Sequence, residues 1–270
     1  MKPLILTRLS VAILFLTLAP LSFAQEEKPS PSPNEKAEQI VQRALKGVGG
    51  DRYLQVKTQI GRGFFTEFHD GASGLPIKFV DYISYPDKER TEFTGGGART
   101  VQTNFRGGGW IYDGAALTLK DQTPAQLEEF KLVTRVTAEN LLHGWWREQG
   151  ATLSYVGRRE AGVGRRNEVV RLTYADGFWV EYEFSADDGM PAKVLYQRKQ
   201  KNRDTEEEET IKEEDRLHKL ITLDGVVTPY IIDHYRNGIQ TSRIGYETVE
   251  FNKPIADALF AKPASIKAIK

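Results

Sequence analysis

The sequence contains no cysteine among its 270 residues. Disulfides, Cys-based zinc sites and thiol catalysis are therefore excluded, and stability rests on packing and ladder hydrogen bonds. Net charge is missing too. With 37 basic side chains against 37 acidic ones, no overall field recruits nucleic acid or anionic lipid. Histidine is sparse: His69, His143, His218 and His234 show neither His-Glu-x-x-His nor another close ligand pair. Neither a metal nor a cofactor is expected. The N-terminal apolar run, Leu9 to Leu18, is too short to cross a bilayer.

That run has another use. Lys2 and Arg8 precede it, and Ser22-Phe23-Ala24 offers small residues at the usual cleavage positions, so residues 1–24 read as an export signal. Cleavage near Ala24 leaves a mature chain starting at Gln25. Because no cysteine follows to carry a lipid anchor, the product is expected to be soluble in the periplasm. Residues 25–34, rich in proline, serine and charge, read as a disordered linker. A single domain is expected over 35–263, followed by a tail at 264–270.

From Glu35 the spacing of Ala37, Ile40, Val41, Ala44 and Leu45 predicts a short helix, stopped by Gly47, Gly49 and Gly50. Strands dominate thereafter. Their turn signals are Asp113-Gly114, Asp176-Gly177, Asp188-Gly189, Asp224-Gly225 and Asn237-Gly238, which suit hairpins and predict an antiparallel meander. Around the second turn, Val170, Leu172 and Tyr174 share one face, while Phe178, Val180, Tyr182 and Phe184 alternate with Trp179, Glu181 and Glu183. One face should be dry and the other wet. Further strands are predicted at 53–68, 77–85, 99–105, 110–120, 152–157, 193–198, 211–223, 226–236 and 239–251, most economically in one large curved sheet. One helical segment interrupts them. Thr123 is its N-cap and Pro124 its first residue, and Leu127, Phe130, Val133, Leu141, Leu142, Trp145 and Trp146 form an apolar stripe, with a break near Thr134 to Thr137. Its partner should be the dry face.

Catalytic motifs are not found. Gly71-Ala72-Ser73-Gly74 lacks the Gly-x-Ser-x-Gly spacing, and Asp187-Asp188 before Gly189 reads as a turn whose aspartates bond the local backbone. Gly95-Gly96-Gly97 and Gly107-Gly108-Gly109 lack the Lys-Ser or Lys-Thr of a phosphate loop and read as hairpin ends. The charge block 198–216, around Glu206-Glu207-Glu208-Glu209, reads as a solvated hairpin end. Trp110, Trp145, Trp146 and Trp179 could form a stacking platform, but packing is the commoner fate of tryptophan. No enzyme is expected.

The order of parts resembles a known family. Opening helix, long strand pair, Tyr82-Ile83-Ser84-Tyr85-Pro86 with Arg90 beyond, and Trp110-Ile111-Tyr112-Asp113-Gly114 are similar to the outer-membrane lipoprotein-sorting proteins of the LolA and LolB type. So are Asp224-Gly225-Val226-Val227-Thr228-Pro229 and the closing Val249-Glu250-Phe251-Asn252, Asp257, Leu259-Phe260 and Pro263. The resemblance implies a mainly β (α+β) fold: a curved antiparallel sheet forming an incomplete half-barrel, with helices covering a concave face that accepts acyl chains. It implies a hydrophobic partner, a lipid or acylated lipoprotein, with a membrane-protein donor and receiver. On that basis Phe64, Phe93, Trp110, Tyr112, Val180, Tyr182, Phe184 and Tyr196 are candidates for the sheet wall, and Leu141, Leu142 and Trp145 for the lid. Arg90 would fix a strand end or sit in a surface salt bridge. One departure matters: the carriers place an arginine before the proline to hold the lid, and this chain has Tyr85. The expected function is carriage of a lipid or lipoprotein acyl chain. A non-carrier sensor or structural module on the same scaffold is the alternative, and a hydrolase with a site visible only in three dimensions comes third.

Overall fold

Alternating apolar and polar residues between tight turns build a sheet of fourteen strands. The computed structural model describes residues 32–202 and 206–269. The predicted export signal, most of the linker and part of the charged hairpin lie outside the described residues. The chain begins with α1 (Pro33–Val48) and a single turn, α2 (Asp51–Leu54), and then enters β1 (Thr58–His69), β2 (Ala72–Ser73), β3 (Ile77–Ser84) and β4 (Lys88–Gly95). β5 (Ala98–Phe105), β6 (Gly108–Asp113) and β7 (Thr118–Asp121) follow, then α3 (Pro124–Val136) and α4 (Ala138–Leu142). The last seven strands are β8 (Thr152–Glu160), β9 (Arg166–Thr173), β10 (Trp179–Ser185), β11 (Pro191–Lys201), β12 (Glu208–Leu223), β13 (Val226–Arg236) and β14 (Ile239–Phe251).

Two antiparallel meanders, β3 to β7 and β8 to β14, are joined through β1, which pairs with β3 on one side and β14 on the other. The sheet does not close, because β7 and β8 remain at its two ends. It is the open, mainly antiparallel half-barrel with helices across its concave face. The turns explain its regularity: Asp70-Gly71, Gly96-Gly97, Arg106-Gly107, Asp224-Gly225 and Asn237-Gly238 each have two positive φ angles, the two-residue geometry whose twist matches the flanking strands. Since β7 and β8 lie at opposite ends, the chain linking them must cross the sheet. It does so as α3 and α4.

α1 begins at Pro33, two residues before the predicted start, because Ser32 and Glu35 form a reciprocal capping box. It ends at Gly49, whose φ of 128° suits glycine and where a Cβ would stand 2.4 Å from the Gly225 carbonyl oxygen. This close approach seats the helix end on the β12–β13 turn. Residues 53–57, predicted as strand, instead form the end of α2 and its exit; the buried Tyr53 ring belongs to the core. β4 was not among the predicted strands. Its sequence, Lys-Glu-Arg-Thr-Glu-Phe-Thr-Gly, carries charges of which Lys88, Arg90 and Glu92 are paired within the fold.

Ala37, Val41, Ala44 and Val48 line one side of α1 and pack with Val170, Leu172, Val180, Tyr182, Phe184, Val194 and Tyr196 of the sheet. Leu141, Leu142 and Trp146 complete this cluster. Full burial of each large apolar side chain contributes about 1.5–3 kcal/mol. The concave face over β9 to β11 is thus filled by the protein's own side chains.

The opposite face of this half is not wet. Glu181 and Glu183 are only 1% and 2% exposed, and a roof of basic residues covers them. Arg159 reaches Glu181 at 2.5 Å and Glu183 at 3.3 Å, Arg171 also pairs with Glu181, and Asn167 donates to Glu183 at 2.9 Å. The pattern continues across the sheet through Lys193 to Glu214, Arg216 to Glu214, and Arg243 to Asp233. Strand alternation marks Glu181 and Glu183 as solvent-facing; long arginine and lysine side chains fold back over them instead.

Candidate functional site: an apolar cavity with an acidic floor

In an antiparallel pair, directly opposed residues share a face. Gln59 opposes Ile83, Ile83 opposes Glu89, and Asp81 opposes Thr91, so these side chains lie together on the concave face of β1, β3 and β4. Over them is a cavity of about 280 Å³. Its other walls are Val194 of β11, Leu217 of β12, Val226 to Pro229 and Ile232 of β13, and Ile244 and Tyr246 of β14. Phe130 and Val133 of α3, Ala138, Glu139 and Leu142 of α4, and the following His143 and Trp145 close it.

The closing segment is pinned at each end. A capping box at Thr123 and Gln126 starts α3, and the buried Gln122 beside it donates to the Thr103 carbonyl at 3.0 Å. At the other end Thr137 caps α4, while Asn140 donates to the Arg135 carbonyl at 2.8 Å and to the Tyr174 hydroxyl at 2.9 Å. Arg135 pairs with Asp176 at 3.1 Å. Between the pins, α3 leaves Val133 exposed at the cavity rim. Tyr85, just before Pro86, packs against the end of this segment: its ring lies 6.3 Å from His143 and 6.0 Å from Trp145, which themselves stack at 4.4 Å. Its hydroxyl donates to the Gln59 side-chain Oε1 at 3.3 Å.

The polar groups in this apolar space have displaced acidities. Burial, and next the Glu89 charge, push the Asp81 carboxyl well above the carboxylate range, although the Thr91 hydroxyl donates to it at 2.9 Å. Burial also raises Glu89 and Glu139. His143 is lowered to about 4, mainly by desolvation and further by the Lys57 charge, so its imidazole is neutral near pH 7. His234 moves the other way, raised by Asp215 at 2.5 Å against the cost of burial. Among the described residues, no group of three or more His, Asp or Glu side chains is placed to hold a metal ion.

Of the residues singled out by sequence, Leu142 and Trp145 line this cavity. Val180, Tyr182, Phe184, Tyr196 and Leu141 sit in the filled core beside it; the Tyr182 hydroxyl donates to the Arg135 carbonyl at 3.4 Å and so supports the lid. Phe93 shares the cavity's face but lies farther along it, edge-on to Phe65 at 5.7 Å. Register places Phe64, Trp110 and Tyr112 on the outer face. Phe64 lines a shallow outer pocket with Thr66, Pro76 and Ile221.

Trp110 donates its indole N–H to the Phe260 carbonyl at 2.9 Å. Arg90 is no surface residue: it is 4% exposed, donates to the Leu259 carbonyl at 2.7 Å, and pairs with Glu92 at 2.7 Å. Arg90 and Trp110 together clasp the C-terminal segment to the outer face. Asp81, Glu89, Glu139, Tyr85 and His143 were missed as site residues. A signal existed for one of them, since Asp81 alternates in phase with Phe79 and Ile83, where an apolar residue is expected.

An open antiparallel half-barrel with a helix-covered concave cavity is the LolA-like fold. It is similar to a DUF1329 family protein from Desulfovibrio piger (TM-score 0.57, 12% identity, covering 86% of this chain and 98% of that one). It is similar also to a LolA superfamily protein from Nitrosomonas europaea (TM-score 0.53, 13% identity, 84% and 97%). A putative outer membrane lipoprotein-sorting protein domain from Vibrio parahaemolyticus is comparable (TM-score 0.52, 11% identity, 84% and 97%). At the level of sequence no family model and no curated protein matches the chain. Among the described residues no helix is long and apolar enough to cross a membrane.

Proposed function

We propose that this protein is a non-enzymatic periplasmic carrier that holds the acyl chain of a lipid or lipoprotein in the cavity between its sheet and α4. The observation that carries this reading is the cavity itself: it is vacant of side chains, walled by aliphatic and aromatic groups, and adjacent to a core packed without such a gap. The fold's likeness to a lipoprotein-sorting domain supports the same reading. Leu142 and Trp145 would contact the chain from the lid, with Val226, Ile232 and Ile244 opposite. Each methylene transferred from water contributes about 0.8 kcal/mol, so no charged anchor is required for binding, and exchange between membranes needs only displacement of the lid.

Lipid extraction and mass spectrometry of protein purified from its native envelope test the reading. An amphiphile recovered at near one per protein is the expected result. Protein that carries none, and that also fails to bind neutral fluorescent alkyl-chain probes, would refute carriage.

A further inference from the structure

Four carboxyl residues line the cavity, and only one of them, Asp215, has a basic partner, His234; Asp81, Glu89 and Glu139 have none among the described residues. Asp81 is 7% exposed, and its only side-chain partner is the Thr91 hydroxyl, which lies 2.9 Å from Oδ1; among the described residues Oδ2 has no hydrogen-bond partner. The same hydroxyl is 3.3 Å from Glu89 Oε1. Glu89 and Glu139 make no ion pair among the described residues, and both line the cavity with Asp81. All three line the same cavity as Tyr85 and Tyr246, and Asp81 and Glu89 meet at the Thr91 hydroxyl.

The Lys57 charge is felt at His143, but Lys57 makes no ion pair with these carboxyls among the described residues, and the basic groups that line the cavity are otherwise engaged or uncharged. Lys88 points to Asp257 at 2.8 Å, His234 is held by Asp215, and His143 is neutral near pH 7. Fixed carboxylates elsewhere in this fold, such as Glu181, Glu183, Glu214 and Asp233, each carry a basic partner. Asp81, Glu89 and Glu139 carry none among the described residues, and they lie where a guest could supply the cation.

We propose that the cavity's guest is a cationic amphiphile, an alkyl chain ending in an amine, whose ammonium group lies among Asp81, Glu89 and Glu139. This rests on the hydrophobic-ligand reading and adds the charge of the head group. An ammonium offers three N–H donors and no acceptor, the complement of a floor built from carboxyl oxygens. A fatty carboxylate or phosphate would have to hold its negative charge in low-dielectric surroundings that already disfavour ionisation of Asp81, Glu89 and Glu139, whereas a cation would favour it. A neutral alcohol would be tolerated, without the charge-assisted bonds.

Calorimetric titration at pH 7 with an n-alkylamine, the n-alkanol and the n-alkanoate of equal chain length, below their micelle concentrations, tests this. The amine is expected to bind about tenfold or more tightly than the alkanol, the value of one charge-assisted hydrogen bond, and the alkanoate most weakly. In the triple variant Asp81→Asn, Glu89→Gln, Glu139→Gln the amine's advantage should vanish while the alkanol's affinity stays, which also shows that the variant is folded. Equal binding of amine and alkanol to the wild type would overturn the head-group assignment and leave the hydrophobic cavity standing. The alkanoate binding tightest, or an amine advantage that survives the triple variant, would overturn it too. Failure of all three to bind would overturn both readings.

Discussion

Ala138 stands at the first position of α4 with its side chain in the cavity wall, and replacing it by leucine puts the hollow to a direct test. Leucine and alanine are both strong helix formers, so the helix itself is little affected. The substitution adds three apolar carbons. If the space above Ala138 is vacant, those carbons are buried at no expense in strain, and folding stability should hold or rise. The same carbons displace about three methylenes of an acyl guest. At about 0.8 kcal/mol each, the loss amounts to about 2.4 kcal/mol, or about 60-fold in Kd. Titration with a neutral fluorescent fatty-alcohol probe reads the affinity, and urea unfolding followed by circular dichroism reads the stability. The reasoning fails if Ala138→Leu is destabilised by the roughly 1–3 kcal/mol typical of overpacking, since that would mean a filled interior. Unchanged probe affinity would refute it equally.

Trp145→Asp should weaken probe binding far more than Trp179→Asp, because Trp145 lines the cavity while Trp179 stacks beneath Arg171 on the outer face; equal losses in a fluorescence titration would contradict the assignment of faces. Arg90→Met should destabilise the fold by about 3 kcal/mol, since it removes a buried cation that serves Glu92 and the Leu259 carbonyl. A red shift in tryptophan emission should accompany it as Trp110 loses its cover, and an unchanged spectrum would argue against the clasp. His143 has a folded-state pKa of about 4, below its unfolded value, so the unfolded chain binds more protons between the two and stability falls as pH drops from about 6.5 toward 4. His143→Phe should flatten that part of the stability profile, and an identical pH dependence in the variant would show that the histidine is not the source.

The strands and hairpins were legible because turn dipeptides and period-two alternation are local signals, and the break in the lid helix at Thr137 was legible for the same reason. Residues 53–57 misled because the apolar Tyr53 and Val56 serve the core from a helical turn and its exit, and composition alone does not separate that from a strand start. β4 was passed over because Lys88, Glu89, Arg90 and Glu92 look like a solvated loop, whereas Arg90 and Glu92 satisfy each other on one face and Glu89 faces the cavity on the other. The cavity wall was the least legible part. Alternation at Val180, Tyr182 and Phe184 reports burial but not the identity of what lies opposite, and here it is α1, α4 and the neighbouring strands. A search for greasy residues also passes over acidic ones, and the floor of this cavity is acidic. Which half of a curved sheet is filled and which is hollow depends on where α1 lands, a long-range fact that no short window contains.

The pairing of β1 with β14 has a consequence for how the molecule comes to exist. Thr58–His69 and Ile239–Phe251 are partners separated by most of the chain, so the seam in the middle of the sheet is the last thing that synthesis makes possible. Until the final hairpin emerges, two interior strands present bare backbone donors and acceptors side by side, a template for wrong pairing with another copy. A chain cut short before Ile239 would therefore be vulnerable at its centre, not at its rim, and would aggregate where trimming residues from the edge strands β7 or β8 alone would only narrow the sheet.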